Sequence, residues 1–161
     1  ARPLDLVFGR RDLAVQLSNK AAKEMTNTTV KSVESIIQRG LVAGASVPDI
    51  ASSLSSSLAF SQDRALRIAR TESTKALNAS TDQAYRQAAT AGINIQKQWL
   101  SSRDAKVREA HAELDGVVVG VNEEFESEGY TSASPANFGD PSLDVNCRCT
   151  IVPVIDGKAD L

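Results

Sequence analysis

The sequence has few aromatic residues, few cysteines and little net charge, and each shortage argues against a class of protein. Aromatic residues make up 4% of the 161 residues, so a core must be built mostly from aliphatic side chains. The formal net charge is −2, whereas a dedicated DNA-binding module usually carries a basic face. No apolar run approaches the roughly 18 residues that a membrane span needs, and we expect no membrane contact.

The two cysteines, Cys147 and Cys149, are separated by a single residue. Two cysteines at this spacing do not form a disulfide framework, and a bridge within Cys-x-Cys would be strained. We therefore expect reduced thiols and an intracellular setting. The start of the chain has no signal-peptide pattern and no initiator Met, so we expect a processed chain or a piece of a longer protein.

Apolar residues at helical spacing predict a helical N-terminal half. One stripe begins at Arg11 and is expected to end at Gly40, because glycine commonly follows the last turn of a helix. Ser46 is a candidate N-cap for a short second helix that runs through Leu58. Ser61 is the N-cap of a third helix of roughly 30 residues, about 45 Å long.

Beyond this long helix the periodicity changes to alternation, which is typical of strands. The predicted elements are a strand at 93–99, a helix at 103–113, a strand at 117–121, a loop at 122–145 and a strand at 147–155. Within the long loop, Phe125 is expected to act as an apolar anchor. Together the elements predict an α+β fold, with one long helix in the helical N-terminal half. The C-terminal half then holds a small, mostly antiparallel sheet plus a short helix.

We divide the chain into a helical region at 1–59, a domain at 60–155 and a disordered tail at 156–161.

The softest metal ligands of the chain are its single histidine, His111, and the two cysteines, Cys147 and Cys149. One zinc ion bound by these three residues would close the long loop between them. The fourth ligand would be water or one of three aspartates: Asp104, Asp115 or Asp144. The alternative is that the cysteines are small buried apolar residues and that His111 takes part in a polar network.

A catalytic alternative is a metal-dependent or thiol hydrolase that uses the same histidine and cysteines. The sequence has no nucleophile elbow or other local signature of such enzymes. Glu124-Phe125-Glu126 provides a Glu-x-Glu motif of the kind found in ADP-ribosylating toxins. It stands alone here, and a glutamate-rich turn is typical of a solvated surface.

A structural polar cluster is the interpretation we prefer for a further set of residues: Glu72, Asp104, Arg108, His111 and Arg148. Asp104, Arg108 and His111 would share one face of the predicted helix. Glu72 on the long helix would reach Arg108 or His111 if the two helices pack. Arg148 lies on the other side of its strand from the cysteines, where it would meet a carboxylate or a partner.

Taken in order, these motifs resemble the phage Mu protein F–like family of minor head or head-morphogenesis proteins. The resemblance covers roughly residues 60–155. The residues that carry it are Ala69-Arg70-Thr71-Glu72, Asn78, Gly92, Trp99, Asp104, Arg108, His111, Leu114-Asp115-Gly116, Phe125, Pro135, Pro141, Asn146-Cys147-Arg148-Cys149 and Pro153.

The resemblance implies a minor capsid protein of a tailed phage or prophage-like particle, present in few copies and without catalytic activity. Its expected partners are the portal protein, other head proteins and the packaged DNA, with no small-molecule substrate. It would act in head assembly and in genome packaging or ejection. The expected location is the virion, in the head interior or at the portal vertex, after assembly in the host cytoplasm.

The resemblance also bears on the two ends of the chain. Residues 1–59 would be an arm or a portal-facing part. Related phage proteins carry a variable, sometimes toxic, domain after this region. The present chain stops a few residues after Pro153, so we expect no such domain here.

Overall fold

A computed structural model describes residues 27–155 and 158–159 and confirms the α+β fold. The helices of the N-terminal half are α1 (Asn27–Val42), α2 (Val47–Leu58) and α3 (Gln62–Thr90). The later elements are β1 (Ile95–Leu100), α4 (Glu109–Leu114), β2 (Val118–Gly120), β3 (Phe125–Ser127), β4 (Tyr130–Ser132), α5 (Pro141–Asp144), β5 (Thr150–Ile155) and β6 (Lys158–Ala159). Residues 11–26 of the predicted first helix lie outside the described residues. None of the described helices is long and apolar enough to span a membrane.

The predicted end of the first helix at Gly40 is wrong, because α1 continues to Val42. A Cβ atom built on Gly40 would lie 2.5 Å from Cγ1 of Ile50 in α2. Gly40 therefore permits the close approach of two helices. The chain turns after α1 at Gly44, whose φ of 69° is a left-handed conformation that glycine adopts without a Cβ penalty.

The predicted caps of α2 and α3 are confirmed. The Ser46 side chain accepts a hydrogen bond from the Asp49 N–H, and the Asp49 carboxylate accepts one from the Ser46 N–H, each at 3.3 Å. This reciprocal pair is a capping box. Ser61 caps α3 by accepting from the Arg64 N–H at 3.3 Å. After α3 the backbone turns at Gly92, whose φ is 95°.

The described residues form two hydrophobic cores. The first is formed by α1, α2 and the N-terminal part of α3, and its fully buried members include Val33, Ile37, Leu54 and Ile68. The second is centred on Trp99 and includes both cysteines. The first core contains residues from both sides of the predicted domain boundary between residues 59 and 60, because α3 packs against α1 and α2. The boundary itself stays a prediction.

The C-terminal half contains a four-stranded antiparallel sheet with strand order β2-β1-β5-β6. β1 and β5 pair along their whole length, from Ile95 opposite Ile155 to Leu100 opposite Thr150. The backbone of residues 158–159 pairs with β5, which differs from the disordered tail that we expect for those two residues. The other four tail residues lie outside the described part of the chain.

The predicted loop at 122–145 is wrong as a description of the whole segment. It contains the β3–β4 hairpin and the short helix α5. Phe125 is fully buried in the second core, which confirms its expected role as an anchor. Asp144 is buried and accepts hydrogen bonds from the N–H groups of residues 138 and 139. The segment is thus held at several points, as a long connection in a compact domain must be.

Candidate metal centre

The single histidine and the two cysteines of the chain meet at one buried point. His111 lies on α4, and Cys147 and Cys149 lie on the segment just before β5. Nδ1 of His111 is 3.8 Å from Sγ of Cys147 and 3.5 Å from Sγ of Cys149. The histidine and the two cysteines are 2%, 2% and 4% exposed. The structure therefore brings together all three residues that the sequence suggests as metal ligands.

The helix that carries His111 is shorter than predicted. α4 begins at Glu109, and the residues before it form turns in which Arg103 has a φ of 51°. The guanidinium of Arg108 donates hydrogen bonds to the carbonyl oxygens of Leu143 and Val145, both at 2.6 Å. These bonds hold the start of α4 against the segment that leads into Cys147.

The long helix α3 holds the cysteine segment from the other side. The Asn78 side chain donates to the carbonyl oxygen of Cys149 at 3.0 Å. The backbone N–H of Asn146 donates to the Thr71 hydroxyl, also at 3.0 Å. Thr71, Asn78 and Asn146 all belong to the ordered motif set of the sequence, and their contacts position the two sulfur atoms between α3 and α4.

Aromatic rings close the site on the side of the second core. The Trp99 ring is fully buried, with its centroid 5.4 Å from that of His111 and 5.2 Å from that of Phe125, both in edge-to-face arrangement. Phe138 stacks on His111 at 6.4 Å. Packing on two sides fixes the orientation of the imidazole ring, so that Nδ1 faces the sulfur atoms.

The two thiols differ in acidity because they interact with each other. A hydrogen bond from the Cys147 thiol lowers the pKa of Cys149 to about 5, with a smaller contribution from His111. The same bond to Cys149, followed by burial, raises the pKa of Cys147 above its ordinary value. Cys149 is therefore the more acidic thiol of the pair, and the thiolate is the form that binds metals.

The residues that we assign to a polar cluster have different hydrogen-bond partners, and Arg108, His111 and Arg148 line the same small cavity. Asp104 belongs to the turn before α4, so the prediction that it shares a helix face with Arg108 and His111 is wrong. Arg148 points away from the buried cysteines and donates two hydrogen bonds to the Asp104 carboxylate, at 2.5 and 2.7 Å. These bonds hold the pKa of Asp104 well below its ordinary range. Glu72 is buried on α3, and its role as a partner of Arg108 or His111 stays a prediction.

The three aspartates proposed as a fourth metal ligand bind elsewhere. Asp104 pairs with the exposed Arg148. Asp115 accepts a hydrogen bond from the Ser101 N–H at 2.8 Å, and Asp144 accepts from two backbone N–H groups. Within the described residues, the set of possible ligand atoms that lie within 4.8 Å of one another comprises the histidine and the two cysteines.

A cavity of about 20 Å³ adjoins the two sulfur atoms and the imidazole. Its lining also includes Ser102, Lys106 and Asn146, all of which are exposed. A space of this size holds about one water molecule. The space beside the three residues is therefore large enough for about one water molecule.

The structure also shows a buried ion pair that the sequence reasoning missed. Nζ of Lys97 lies 2.6 Å from Oδ1 of Asp82 and 2.8 Å from the carbonyl oxygen of Ala133. The position of Lys97 in its strand could have indicated this pair, because Ile95, Lys97 and Trp99 point to the same face of the strand. A lysine in phase with buried neighbours requires a buried partner.

Comparison with known proteins places these features in a family. The sequence model of the family described as phage Mu protein F like protein matches residues 31–152. The match begins well before residue 60, so it includes the region between α1 and α3 that the motifs alone do not cover. All the motif residues listed for the resemblance fall inside it except Pro153. No solved structure matches the chain.

Three curated relatives illustrate the range of this similarity. The chain is 42% identical over 127 residues to the NAD(+)–arginine ADP-ribosyltransferase EFV of Enterococcus faecalis, covering 79% of this chain and 26% of that protein. It is 35% identical over 148 residues to the protein YqbB of Bacillus subtilis, covering 88% and 47%. It is 31% identical over 130 residues to the minor head protein GP7 of Bacillus phage SPP1, covering 80% and 42%.

The chain spans less than half of the length of each of these relatives. The family match, by contrast, extends over most of this chain and over every described helix and strand from α2 to β4. The chain therefore belongs to the phage Mu protein F–like family.

Proposed function

We propose that this chain is a minor head protein of a tailed phage or prophage-like particle and acts in head assembly. The observation that carries the proposal is the family match over residues 31–152, joined by 31% identity to a phage minor head protein over 80% of the chain. The matched region includes the second core, all of the first core except Val30, and the buried histidine–cysteine site, so the similarity extends beyond isolated motifs.

A structural role without catalysis is the second part of the proposal. The cavity beside His111, Cys147 and Cys149 measures about 20 Å³, whereas pockets for small ligands usually measure roughly 300–1,000 Å³. A hydrolase would need room for its substrate beside the nucleophile and the base. The closed site instead favours a role in holding α3, α4 and the cysteine segment together.

The proposed partners are the portal protein and other head proteins, with contact to the packaged DNA during packaging or ejection. The proposed location is the virion, in the head interior or at the portal vertex, following assembly in the host cytoplasm. The formal net charge of −2 supports proteins as the main partners, since nonspecific DNA affinity comes mostly from contacts between basic residues and phosphates.

The proposal is tested by capture and by particle composition. The tagged chain is expressed with the portal protein of the same phage, and heads purified from the producing strain are analysed by mass spectrometry. We expect the portal protein to be retained by the chain, and peptides of the chain to be present in heads at low abundance relative to the major capsid protein. Heads that lack the chain, together with no capture of the portal protein, would refute the proposal.

A core variant provides the control for this capture experiment. Trp99→Ala removes the fully buried centre of the second core and is expected to unfold the C-terminal half. Loss of capture with this variant would place the portal contact in the C-terminal half. Equal capture would place the contact in residues 1–59, the expected portal-facing part, and would count against contact through the C-terminal half.

An enzyme is the second candidate, because one relative is named as an ADP-ribosyltransferase and is 42% identical over 127 residues. The match covers 26% of that protein. In the present chain Glu124 and Glu126 are exposed on either side of the buried Phe125, as in a solvated strand edge. We expect no transfer of ADP-ribose from NAD to an arginine acceptor. Transfer that is lost in Glu126→Gln but kept in Glu128→Gln would favour the enzyme.

A further inference from the structure

The geometry points to a zinc site in which Nδ1 of His111 and the Sγ atoms of Cys147 and Cys149 bind one ion, with water as the fourth ligand. This inference goes beyond the proposed head function, and it rests on the placement of these three residues alone. A failure of one proposal therefore leaves the other standing.

The distances between the three ligand atoms match those around a tetrahedral ion. Zinc bonds of about 2.3 Å to sulfur and about 2.0–2.1 Å to nitrogen place a nitrogen and a sulfur ligand about 3.5 Å apart. The observed Nδ1–Sγ separations are 3.5 and 3.8 Å, and all three atoms lie within 4.8 Å of one another. The two nitrogen–sulfur separations therefore suit an ion placed between the three ligands.

Both sulfur atoms converge on one nitrogen, since those of Cys147 and Cys149 face Nδ1 of His111. A cation at their centre would contact all three ligand atoms at once. Two thiolates also balance the charge of Zn²⁺, so the buried group carries no net charge, which removes most of the cost of burying the ion.

The fourth position is provided by the small cavity that adjoins the three ligands. Its volume of about 20 Å³ suits one water molecule, which can hydrogen-bond to polar groups of the lining such as Ser102 and Asn146. Three protein ligands and a water are also found in catalytic zinc sites. Here the surrounding space is too small for a substrate, so the ion acts as a cross-link.

The cross-link would close the segment between His111 and Cys147, which are 36 positions apart. That segment holds the β3–β4 hairpin and α5, which are all short elements. Zinc that binds the folded chain releases the thiol protons to solvent and stabilises the fold by mass action.

Metal content and spectroscopy test the site directly. The full chain is purified with zinc present, excess metal is removed, and elemental analysis is expected to give about one zinc per chain. Replacement by Co²⁺ should produce a thiolate-to-cobalt charge-transfer band and the d–d bands of a tetrahedral site. Zinc at about a hundredfold excess over its Kd should raise Tm by roughly 5–10 °C relative to chelator-treated protein.

Matched variants separate loss of a ligand from loss of stability. Cys149→Ser and His111→Gln should abolish the cobalt bands and the zinc-dependent rise in Tm. Ser46→Ala is the control, since it removes the capping box of α2, far from the three ligands, and leaves every ligand and its hydrogen bonds in place. This control should have a lower Tm and still bind about one zinc per chain.

Two outcomes would overturn the site. The first is a folded wild-type chain that contains no zinc, shows no cobalt bands and has the same Tm with zinc as with chelator. The second is full zinc binding by both ligand variants. The measurements on the wild-type chain decide the question even if a variant fails to fold.

Discussion

The buried pair of Lys97 and Asp82 allows a quantitative test of how the long helix is attached to the sheet. Lys97 is fully buried, and its ammonium contacts the Asp82 carboxylate at 2.6 Å. Asp82→Ala leaves this charge away from water, with a hydrogen bond to the Ala133 carbonyl in place of the ion pair. Removal of one partner of a buried ion pair typically costs about 3–5 kcal/mol, so we expect a loss of that size in the free energy of unfolding.

Replacement of the lysine should cost less than replacement of the aspartate. Lys97→Met keeps an apolar stem of similar length in the buried space, and Asp82 retains a contact with Arg86 at 2.8 Å. We expect a loss of about 1–2 kcal/mol, close to that of a single hydrogen bond. The double variant should be more stable than Asp82→Ala, because it no longer buries an uncompensated charge.

Urea unfolding followed by circular dichroism and by the fluorescence of the single tryptophan, Trp99, measures these differences. At a fixed zinc concentration, Asp82→Ala should lower Tm by roughly 6–20 °C. Asp63→Ala is the control, because this aspartate lies exposed in the first turn of the same helix and should cost less than about 1 kcal/mol. A loss under about 1 kcal/mol for Asp82→Ala, or a double variant no more stable than it, would refute the reasoning.

Three further substitutions test local features of the fold. Gly40→Ala should destabilise the chain by about 1–3 kcal/mol through overlap with Ile50. Without that overlap, the higher helix propensity of alanine would stabilise the chain by about 1 kcal/mol. Urea unfolding therefore tests the overlap, and a variant more stable than wild type would contradict it. Ser46→Ala removes the capping box of α2 and should cost about 1 kcal/mol; no loss in thermal unfolding would mean that the cap is unimportant. Arg148→Ala should change stability little at neutral pH, since its pair with Asp104 is exposed. Hydrogen bonds from Arg148 lower the pKa of Asp104 in the folded chain, so the contribution of the pair is present above about pH 4 and is lost as the pH falls further. The stability difference between wild type and Arg148→Ala should therefore shrink in acid, and a difference that grows in acid would contradict this assignment.

Local signals in the sequence were sufficient for most of the secondary structure. The caps at Ser46 and Ser61 were predicted correctly because a capping serine contacts a backbone N–H only three residues further along the chain. The long helix and the pairing strands follow from apolar periodicity, which is also a local property. The order of the motifs was enough to indicate the family, which the family match then confirmed.

The predictions that failed depend on distant contacts. The prediction of a helix end at Gly40 is wrong because a glycine is needed there for the close approach of Ile50 from the next helix. The helix predicted from residue 103 begins only at Glu109, and Arg108 at its start bonds to carbonyl groups 35 and 37 positions away. Bonds of this kind have no counterpart in a sequence window, so propensity and spacing do not detect them.

The histidine–cysteine site likewise combines features that are local in the sequence with features that depend on distant contacts. The sequence by itself determined which residues carry soft ligand atoms, because the chain has one histidine and two cysteines, and alternation predicted that Arg148 would face away from the two sulfurs. Only the tertiary structure decided that His111 lies within 3.8 Å of both sulfurs and that the three candidate aspartates bind elsewhere. The physical reason is that a coordination site is a set of distances, and these distances are set by the packing of α3, α4 and β5 against one another.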